Sequence, residues 1–564
     1  MRSALALVLI SLAAAASAQT PLAGDAAPTR ADTLRGTVTP ERAWWDVTFY
    51  DLAVRFDPAA ETIRGSVGIT FRTLQPARTM QIDLQEPLVP DAVTLGADGT
   101  GRALPVRRDG NALFVTLPDA PAAGTLQTVT VAYHGTPRVA VNAPWDGGVV
   151  WTADSLGRPW TATAVQGLGA SAWWPVKDSQ TDEPDSQRVA ITVPRGMTNV
   201  SNGRLRATRV NPDGTTTFTY AVVNPINTYD VTVNAGHYAH FSDVYTGEAG
   251  PLTLDFYPLD YNEARARRQF AQVTPMLACF EHWFGPFPWY EDGFKLVETP
   301  HLGMEHQSAV AYGNGYRNGY RGRDFSGTGT GLSWDFIIVH ESAHEWWGNS
   351  ITSRDIADMW VHESFANYAE NLFVECEQDP AAGATYVIGT RAGIRNDVPV
   401  VGTFGVAREG SGDMYSKGGN MLHTMRQIVG DDARWRQTLR GLQARFRHQT
   451  VSGADVRRAM SELTGVDLSA VFEQYLETTR IPVLEVRLDG PAGGPAGGTQ
   501  TLFYRWADVV PGFAMPVDVT LADGAFSRLT PTPDWQAAPA ALSSPEAFRV
   551  DPDFYVRLRV VPAP

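Results

Sequence analysis

The sequence predicts a multidomain α+β protein. At 564 residues the chain is too long to fold around one hydrophobic core. Alternating apolar residues and frequent turn signals indicate strands from residue 43 to about 240 and again after Pro482, whereas the stretch between them is mainly helical in pattern. We therefore expect an N-terminal antiparallel β-domain, a mainly α central domain and a small C-terminal β-sandwich.

The composition is that of an ordinary globular protein and narrows the range of partners. Hydrophobic residues make up 43% of the chain, charged residues 19%, and the formal net charge is −15. Such an acidic balance disfavours nonspecific binding to nucleic acid or to an anionic membrane. Beyond the N-terminus no stretch is apolar for long enough to span a bilayer, so we expect no membrane insertion.

Residues 1–18 have the pattern of a secretory signal peptide. Arg2 supplies the positive charge, Leu5 to Leu12 the apolar segment, and Ala16 to Ala18 the small residues of a cleavage site. No cysteine lies near that site, which argues against a lipid anchor there. The sequence thus predicts an exported protein, either periplasmic or extracellular.

Composition shifts divide the remaining chain into three predicted domains. The β-domain covers 43–242, the helical domain 243–478 and the C-terminal module 479–564. In the helical domain, Asn262 is expected to cap a helix that runs to Phe284 and that Pro275 kinks or splits. In the C-terminal module, the stretch Gly490 to Gly498 is expected to form a long hairpin turn or a disordered bulge.

The chain contains two cysteines, Cys279 and Cys376, both in predicted helices of the central domain. Two cysteines cannot form the disulfide framework of a small secreted fold. We favour two buried free thiols, with one disulfide bridge as the alternative.

A metal site is the most informative feature of the sequence. His340 and His344 stand four residues apart, so on a helix both imidazoles share one face. Glu341 lies beside that face, and Glu363 offers a third ligand where a second helix should begin. Two histidines and one glutamate leave one position of a tetrahedral zinc ion open, which is the arrangement of a catalytic site. The apolar residues around the motif argue against a merely solvated helix face.

The stretch 312–331 is rich in glycine, tyrosine and arginine. An RGG-like nucleic-acid-binding segment is one interpretation, but the acidic chain and the export signal disfavour it. We favour a flexible loop at the rim of the active site.

Four segments resemble motifs of the zinc aminopeptidase family that includes aminopeptidase N and leukotriene hydrolase. They are HESAHEWWGN at 340–349 with Glu363 at the family's spacing, GMEH at 303–306, YSKG at 415–418, and Gln166 followed by WPVKD at 174–178. The resemblance covers roughly residues 43 to 480, and the motifs occur in the family's order. It implies a thermolysin-like fold for the central domain and a likeness to short, exported bacterial members.

The resemblance also implies roles for individual residues. Glu341 would be the general base, and Tyr415 would donate a hydrogen bond to the oxyanion. Glu305 would bind the free α-amine of the substrate, with Gln166 adding a neutral acceptor. Gly303 and Met304 would form an edge strand to which the peptide adds.

Three further residues near these motifs are less clearly assigned. His306 stands where the family usually has asparagine, which bears on how the substrate strand is held and which first side chain is preferred. Glu370 could accept a hydrogen bond from a ligand histidine or form a structural ion pair. His362 points about 100° away from Glu363 on a helix, so we leave it out of the ligand set.

The sequence therefore predicts an exported zinc aminopeptidase acting on peptides with a free N-terminus. A thermolysin-like endopeptidase with the same zinc and base is one alternative, against which Glu305 argues. A second is epoxide hydrolysis beside peptidase activity, which no residue positively supports. A third is an inactive zincin that acts as a binding module, against which the complete set of ligands, base and tyrosine argues.

Overall fold

The computed structural model of the protein describes residues 27–97, 99–490, 500–522 and 524–562. The predicted signal peptide and most of the predicted loop from Gly490 to Gly498 lie outside the described residues. Within the described part of the chain, every helix is too short or too polar to cross a membrane.

The N-terminal region begins with two short helices and continues as strands. The helices are α1 Arg30–Gly36 and α2 Pro40–Ala43. The strands are β1 Trp45–Asp57, β2 Thr62–Thr73, β3 Thr79–Asp83, β4 Val89–Leu95, β5 Arg102–Ala103, β6 Val106–Asp109, β7 Ala112–Thr116, β8 Leu126–Gly135, β9 Gly148–Ala153, β10 Pro159–Ala164, β11 Ser186–Val193, β12 Thr198–Val200, β13 Arg204–Val210, β14 Thr216–Val222 and β15 Asn234–Gly236.

These strands form three sheets around a core of their own. The largest has the order β13-β14-β11-β1-β2-β8-β4-β5, and the others are β12-β15-β10-β9 and β3-β7-β6. Alternate residues of β1, such as Tyr50, Leu52 and Val54, are fully or almost fully buried, as the sequence pattern predicts. One pair departs from the predicted antiparallel pattern, because β1 and β11 run parallel.

The central region combines a small sheet with most of the helices. Its strands are β16 Phe241–Gly247, β17 Gly250–Tyr257, β18 Phe294–Glu298, β19 Gly303–Met304, β20 Val310–Tyr312, β21 Ile351–Ser353 and β22 Gln449–Val451. Its helices are α3 Glu263–Gln269, α4 Val273–Phe284, α5 Phe336–Ala343, α6 Trp360–Glu377, α7 Pro380–Thr390, α8 Ser416–Val429, α9 Asp432–Phe446, α10 Gly453–Thr464 and α11 Ser469–Phe472. The five-stranded sheet has the order β16-β17-β18-β20-β19, which leaves β19 at an edge.

The helix predicted from Asn262 to Phe284 is interrupted before Pro275. A 3-10 turn, Phe270–Gln272, separates α3 from α4. Pro275 lies in the first turn of α4, where its missing N–H leaves no bond unmade. The predicted cap is also wrong in detail, because the Asn262 amide donates to Glu298 over 2.8 Å and does not cap the helix.

The favoured prediction of two free thiols is wrong. Cys279 on α4 and Cys376 on α6 form a disulfide with a Cα–Cα distance of 6.0 Å. The two helices pack side by side, and a separation of 97 residues in sequence gave no sign of that proximity.

The C-terminal region is made of short strands. They are β23 Val483–Asp489, β24 Gln500–Ala507, β25 Val517–Ala522, β26 Ala525–Leu529, β27 Gln536–Ala540 and β28 Arg557–Val560. They form the sheets β27-β24-β23-β28 and β25-β26. Their buried residues, such as Leu484 and Trp506, belong to the same continuous core as the central helices. The predicted multidomain α+β class is confirmed.

Candidate metal and peptide site

The helix that carries the histidine pair is fixed firmly at its start. Asp335 caps α5, and its side chain accepts from the backbone N–H groups of Ile337 (3.1 Å) and Ile338 (3.4 Å). The same carboxylate accepts hydrogen bonds from Tyr312 and Asn314, both at 2.7 Å. Burial raises the pKa of Asp335 to about 6. The first turn of α5 is thus tied to the sheet that holds the GMEH motif.

Two histidines and a glutamate converge between α5 and α6. His340 Nε2 lies 3.5 Å from Glu363 Oε2, and His344 Nε2 lies 3.4 Å from the same oxygen. All three side chains are buried, and Glu363 Oε2 has no hydrogen-bond partner. A buried carboxylate oxygen without a partner is costly unless a cation binds it. The three ligand atoms lie within 4.8 Å of one another, so these residues fit a single metal ion. We call His340, His344 and Glu363 the metal group.

The second nitrogen of each imidazole is already engaged. His340 Nδ1 is 2.8 Å from Glu370 Oε1, and His344 Nδ1 is 2.8 Å from the carbonyl oxygen of Trp347. Glu370 is held in turn by Tyr386, whose hydroxyl donates to it over 2.7 Å. When each Nδ1 donates its proton, each Nε2 presents a lone pair toward Glu363. The partner of Glu370 is thus His340, the first of the two predicted ligand histidines.

The chain leaves the helix directly after the histidine pair. Trp347 has φ −122° and ψ 94°, and Gly348 has φ 123°, which only glycine adopts readily. A Cβ on Gly348 would lie 3.2 Å from the Nδ1 atoms of both His344 and His362. This glycine lets the Trp347 carbonyl turn back to His344. His362 accepts from the Ser353 N–H at 2.8 Å and takes no part in the metal group.

Glu341 projects into the cavity next to the metal group. A Cβ on Gly303 would come within 2.6 Å of Glu341 Oε1, so a residue larger than glycine at 303 would displace this carboxylate. Burial raises the pKa of Glu341 to about 7. Gly303 belongs to the edge strand β19, which therefore runs directly past the carboxylate.

Glu305 lies at the end of the cavity where the β-domain meets the central region. Its Oε1 accepts hydrogen bonds from Gln166 Nε2 at 2.5 Å and from the Tyr229 hydroxyl at 3.1 Å. Its backbone carbonyl accepts from Asn349 over 2.7 Å, which links it to the loop after the metal helix. Burial raises the pKa of Glu305 above its ordinary value. Met304 and Gln166 line the cavity beside it.

Tyr415 lines the cavity next to His340. Its ring centroid is 5.9 Å from that of His340. Ser364 on α6 donates to the Met414 carbonyl over 2.8 Å, and a Cβ on Gly418 would come within 1.9 Å of the Ser364 hydroxyl. The glycine of the YSKG motif is therefore required for α8 to pack against α6, and this packing brings Tyr415 over the cavity.

The cavity between these groups has a volume of about 690 Å³. Carboxylates dominate its charge, and lysine and arginine are absent from the described residues that line it. The lining carboxylates are Glu305, Glu341, Glu363, Glu370 and Glu409. Trp145, on the loop after β8, lines the rim and is 59% exposed.

The structure brings all nine sequence-predicted site residues to this one cavity. His306 is different: it is buried beside His301, with ring centroids 6.4 Å apart, and does not line the cavity. Sequence reasoning missed Tyr229 and Glu409. Neither lies in a recognisable motif, and only the fold carries them to the site.

Comparison with known proteins is consistent with this geometry. The model of the peptidase family M1 domain matches residues 296–398. Aminopeptidase N of Lactococcus lactis is 30% identical over 169 residues, which cover 27% of this chain and 19% of that protein. Human aminopeptidase B is 24% identical over 344 residues, which cover 57% of this chain and 48% of that protein. The chain thus spans less than half the length of these curated relatives.

Solved structures of similar fold span most of the chain. An M1 zinc metallopeptidase variant from Deinococcus radiodurans, bound to a Tyr-Ser-Ala substrate, superposes with a TM-score of 0.64 at 20% identity. The match covers 78% of this chain and 96% of that one. A two-domain M1 zinc metallopeptidase bound to L-tryptophan gives a TM-score of 0.66, also at 20% identity. The resemblance predicted from the sequence is confirmed: residues 296–398 match the peptidase family M1 domain, and the chain is similar to aminopeptidases N and B over longer stretches.

Proposed function

We propose that this protein is an exported, zinc-dependent aminopeptidase that hydrolyses N-terminal residues from peptides. The observation that carries the proposal is the position of Glu305. This carboxylate lies at one end of the cavity that contains the His340, His344 and Glu363 group, and it is oriented by Gln166 and Tyr229. A fixed carboxylate at that end favours substrates with a cationic α-amine.

His340, His344 and Glu363 would hold the zinc ion through Nε2, Nε2 and a carboxylate oxygen. When bound, zinc supplies Lewis-acid polarisation of the scissile carbonyl and lowers the pKa of water. Glu370 and the Trp347 carbonyl keep the two imidazoles in the ligand tautomer and orientation.

Glu341 would act as the general base. Its carboxylate takes a proton from the attacking water and later delivers it to the leaving amine. A pKa near 7, raised by burial, suits a group that must both accept and release a proton near neutral pH. Tyr415, whose ring lies 5.9 Å from that of His340, would donate its phenolic hydrogen bond to the oxyanion.

The substrate backbone would add to the free edge of the five-stranded sheet. Gly303 and Met304 form that edge, and Glu305 follows directly. A peptide paired with β19 would present its scissile carbonyl to the metal group and its α-amine to Glu305. Gln166 already donates its amide N–H to Glu305, so its amide oxygen is the atom left to accept from the substrate ammonium.

Two observations support export. The first 18 residues have the pattern of a signal peptide. The disulfide between Cys279 and Cys376 is typical of proteins that fold in an oxidising compartment.

Paired peptides test the proposed function. A free-amine tripeptide should release its first residue, and its N-acetylated twin should resist cleavage; a chelator should abolish turnover, and added zinc should restore it. The Glu305→Gln variant should lose on the order of 100-fold in kcat/KM on the free-amine peptide, because a charged hydrogen bond to the ammonium is lost.

The exposed Glu462 on α10 provides a matched control, since Glu462→Gln makes the same chemical change away from the cavity. This control should retain wild-type rates. Internal cleavage of the acetylated peptide at a comparable rate would instead identify an endopeptidase.

A further inference from the structure

The Gly-, Tyr- and Arg-rich stretch is an ordered loop between β20 and α5. We call residues 313–333 the arginine loop, because it carries Arg317, Arg321 and Arg323. All three arginines are exposed, and their side chains form no ion pair with any described residue. The proposed roles of the metal group, Glu341 and Tyr415 do not involve this loop.

Hydrogen bonds of the Asn314 side chain and of the loop backbone set the path of the arginine loop. The Asn314 amide donates to the carbonyls of Arg317 and Gly319, at 2.7 and 2.8 Å, and also to Asp335, the cap of α5. Gly319 N–H donates to the Trp334 carbonyl at 2.6 Å, which closes the base of the loop. The loop is therefore attached to the start of α5.

A tight turn presents the arginines at its tip. Tyr320 and Arg323 exchange backbone hydrogen bonds of 2.8 and 3.0 Å, and the residues between them, Arg321 and Gly322, have φ of 51° and 84°. Positive φ at both central positions is the geometry of a type I′ turn. Arg321 and Arg323 thus project from a defined backbone and not from a free coil.

An aromatic wall connects this turn to the metal group. Tyr320 and Phe325 line the cavity with ring centroids 4.6 Å apart, and Tyr320 also contacts Phe336 at 5.5 Å. Phe336 stacks on His340 with centroids 5.2 Å apart. The arginines are therefore next in the chain to residues that line the same cavity, and the 52% exposure of Phe325 places this part of the lining at the cavity rim.

The turn lies next to the start of α5, whereas the amine end of the cavity, at Glu305, lies against the β-domain. Tyr320 and Phe325 each contact Phe336, the first residue of α5, with ring centroids 5.5 Å apart, and Glu341 follows on the same helix. Glu305 instead accepts hydrogen bonds from Gln166 and Tyr229 of the β-domain. Glu341 is the proposed proton donor to the leaving amine, so the loop faces the part of the peptide that follows the scissile bond.

The cavity and the turn of the arginine loop carry opposite charges. Five carboxylates line the cavity, whereas the turn brings two exposed guanidinium groups to its mouth. A negative group on the leaving part of a peptide would be repelled by the cavity and attracted by the turn. Guanidinium groups bind carboxylates in a bidentate geometry, which adds direction to the attraction.

We propose that Arg321 and Arg323 bind a carboxylate on the leaving part of the peptide, so that the preferred substrates carry a negative charge shortly after the scissile bond. The inference rests on the proposed aminopeptidase function and adds a substrate class to it. The carboxylate can come from the free C-terminus of a short peptide or from an acidic side chain. An extended peptide advances by about 3.3–3.6 Å per residue, so only the first few residues beyond the scissile bond are within reach of a turn at the cavity mouth.

Four peptides that share the first two residues separate these sources: Leu-Ala-Ala, its C-terminal amide, Leu-Ala-Glu-amide and Leu-Ala-Gln-amide. Leucine release by the full-length zinc enzyme gives kcat/KM for each. We expect the wild type to favour a peptide with a carboxylate about fivefold or more over its neutral twin, mainly through KM. A preference for the free acid over its amide identifies the chain terminus, and a preference for Glu over Gln identifies the side chain; either result supports the proposal.

The double variant Arg321→Gln/Arg323→Gln should abolish that preference and leave turnover of the neutral amides unchanged. The pair Arg206→Gln/Arg209→Gln, on the exposed strand β13, is the matched control and should keep the preference. A rise in ionic strength from about 0.03 M to about 0.3 M should shrink the preference in the wild type, a test that needs no variant.

Turnover of all four peptides without a carboxylate preference, or a preference that survives in the double variant, would overturn this inference alone. Failure to release leucine from any peptide would overturn the proposed function and this inference with it.

Discussion

At the scale of single residues, the site depends on which nitrogen of each histidine is free. Glu370 and the Trp347 carbonyl occupy Nδ1 of His340 and His344, and both Nε2 atoms then face Glu363 Oε2 at 3.4–3.5 Å. Second contacts of this kind set the tautomer of a ligand histidine and raise its basicity. The orientation of His340 and His344 is therefore set by residues outside the group of His340, His344 and Glu363.

The Glu341→Gln variant should keep its metal and lose nearly all turnover. The amide has nearly the same shape as the carboxylate, so the fold and the ligands persist, but it cannot accept the proton of the attacking water. Metal analysis of the variant tests whether the metal is retained, and kcat on a free-amine tripeptide tests whether turnover is lost. Full activity in the metal-loaded variant would remove Glu341 as the base.

The Tyr415→Phe variant should lower kcat by about 10²–10³ with little change in KM, because an oxyanion donor acts mainly in the transition state. Steady-state kinetics on the same tripeptide measures the two constants. A variant in which only KM rises would make Tyr415 a ground-state contact. Tyr475→Phe removes a buried hydroxyl outside the cavity and serves as a control for the loss of a phenol.

At the scale of secondary structure, α5 is the element on which the site is built. Asp335 fixes its first turn, and the helical path of the chain is lost at Trp347 and Gly348, shortly after His344. The same Asp335 accepts hydrogen bonds from Tyr312 and Asn314, so it joins the helix to the sheet and to the arginine loop. A single buried carboxylate thus connects α5, the sheet and the arginine loop around the cavity.

The Asp335→Ala variant should lose about 3 kcal/mol or more of unfolding free energy, since it removes a helix cap and leaves buried donors unsatisfied. Asp379 is the matched control: it caps α7 through a 2.8 Å bond to the Ala382 N–H but is exposed. Asp379→Ala should cost only about 1 kcal/mol. Denaturant titrations of both variants compare the two losses, and equal losses would contradict the role given to Asp335.

The sequence predicts the helical part of the site better than the rest of it. The i, i+4 histidines and the strand alternation of Tyr50, Leu52 and Val54 are local patterns. The periodicity of a helix or a strand places such residues on one face, whatever the tertiary packing. Tyr229 reaches Glu305 across 76 residues, and Cys279 reaches Cys376 across 97. Such contacts depend on tertiary packing, which hydrophobic periodicity does not encode.

At the scale of the whole molecule, the cavity lies between two independently packed units. The N-terminal strands have their own hydrophobic core, and the central helices share a second core with the C-terminal sheets. Gln166 and Tyr229 come from the first unit and Glu305 from the second, so the amine end of the cavity is complete only when the units meet. In the proposed function, recognition of the substrate terminus therefore requires both units, whereas His340, His344 and Glu363 all belong to the helical unit.

The metal content of the purified, untreated protein tests this account most directly. Inductively coupled plasma mass spectrometry should find one zinc ion per chain in the wild type and in Glu341→Gln, and a loss of zinc in His344→Ala. A wild-type protein that contains no transition metal, takes up none and still hydrolyses peptides would contradict the account.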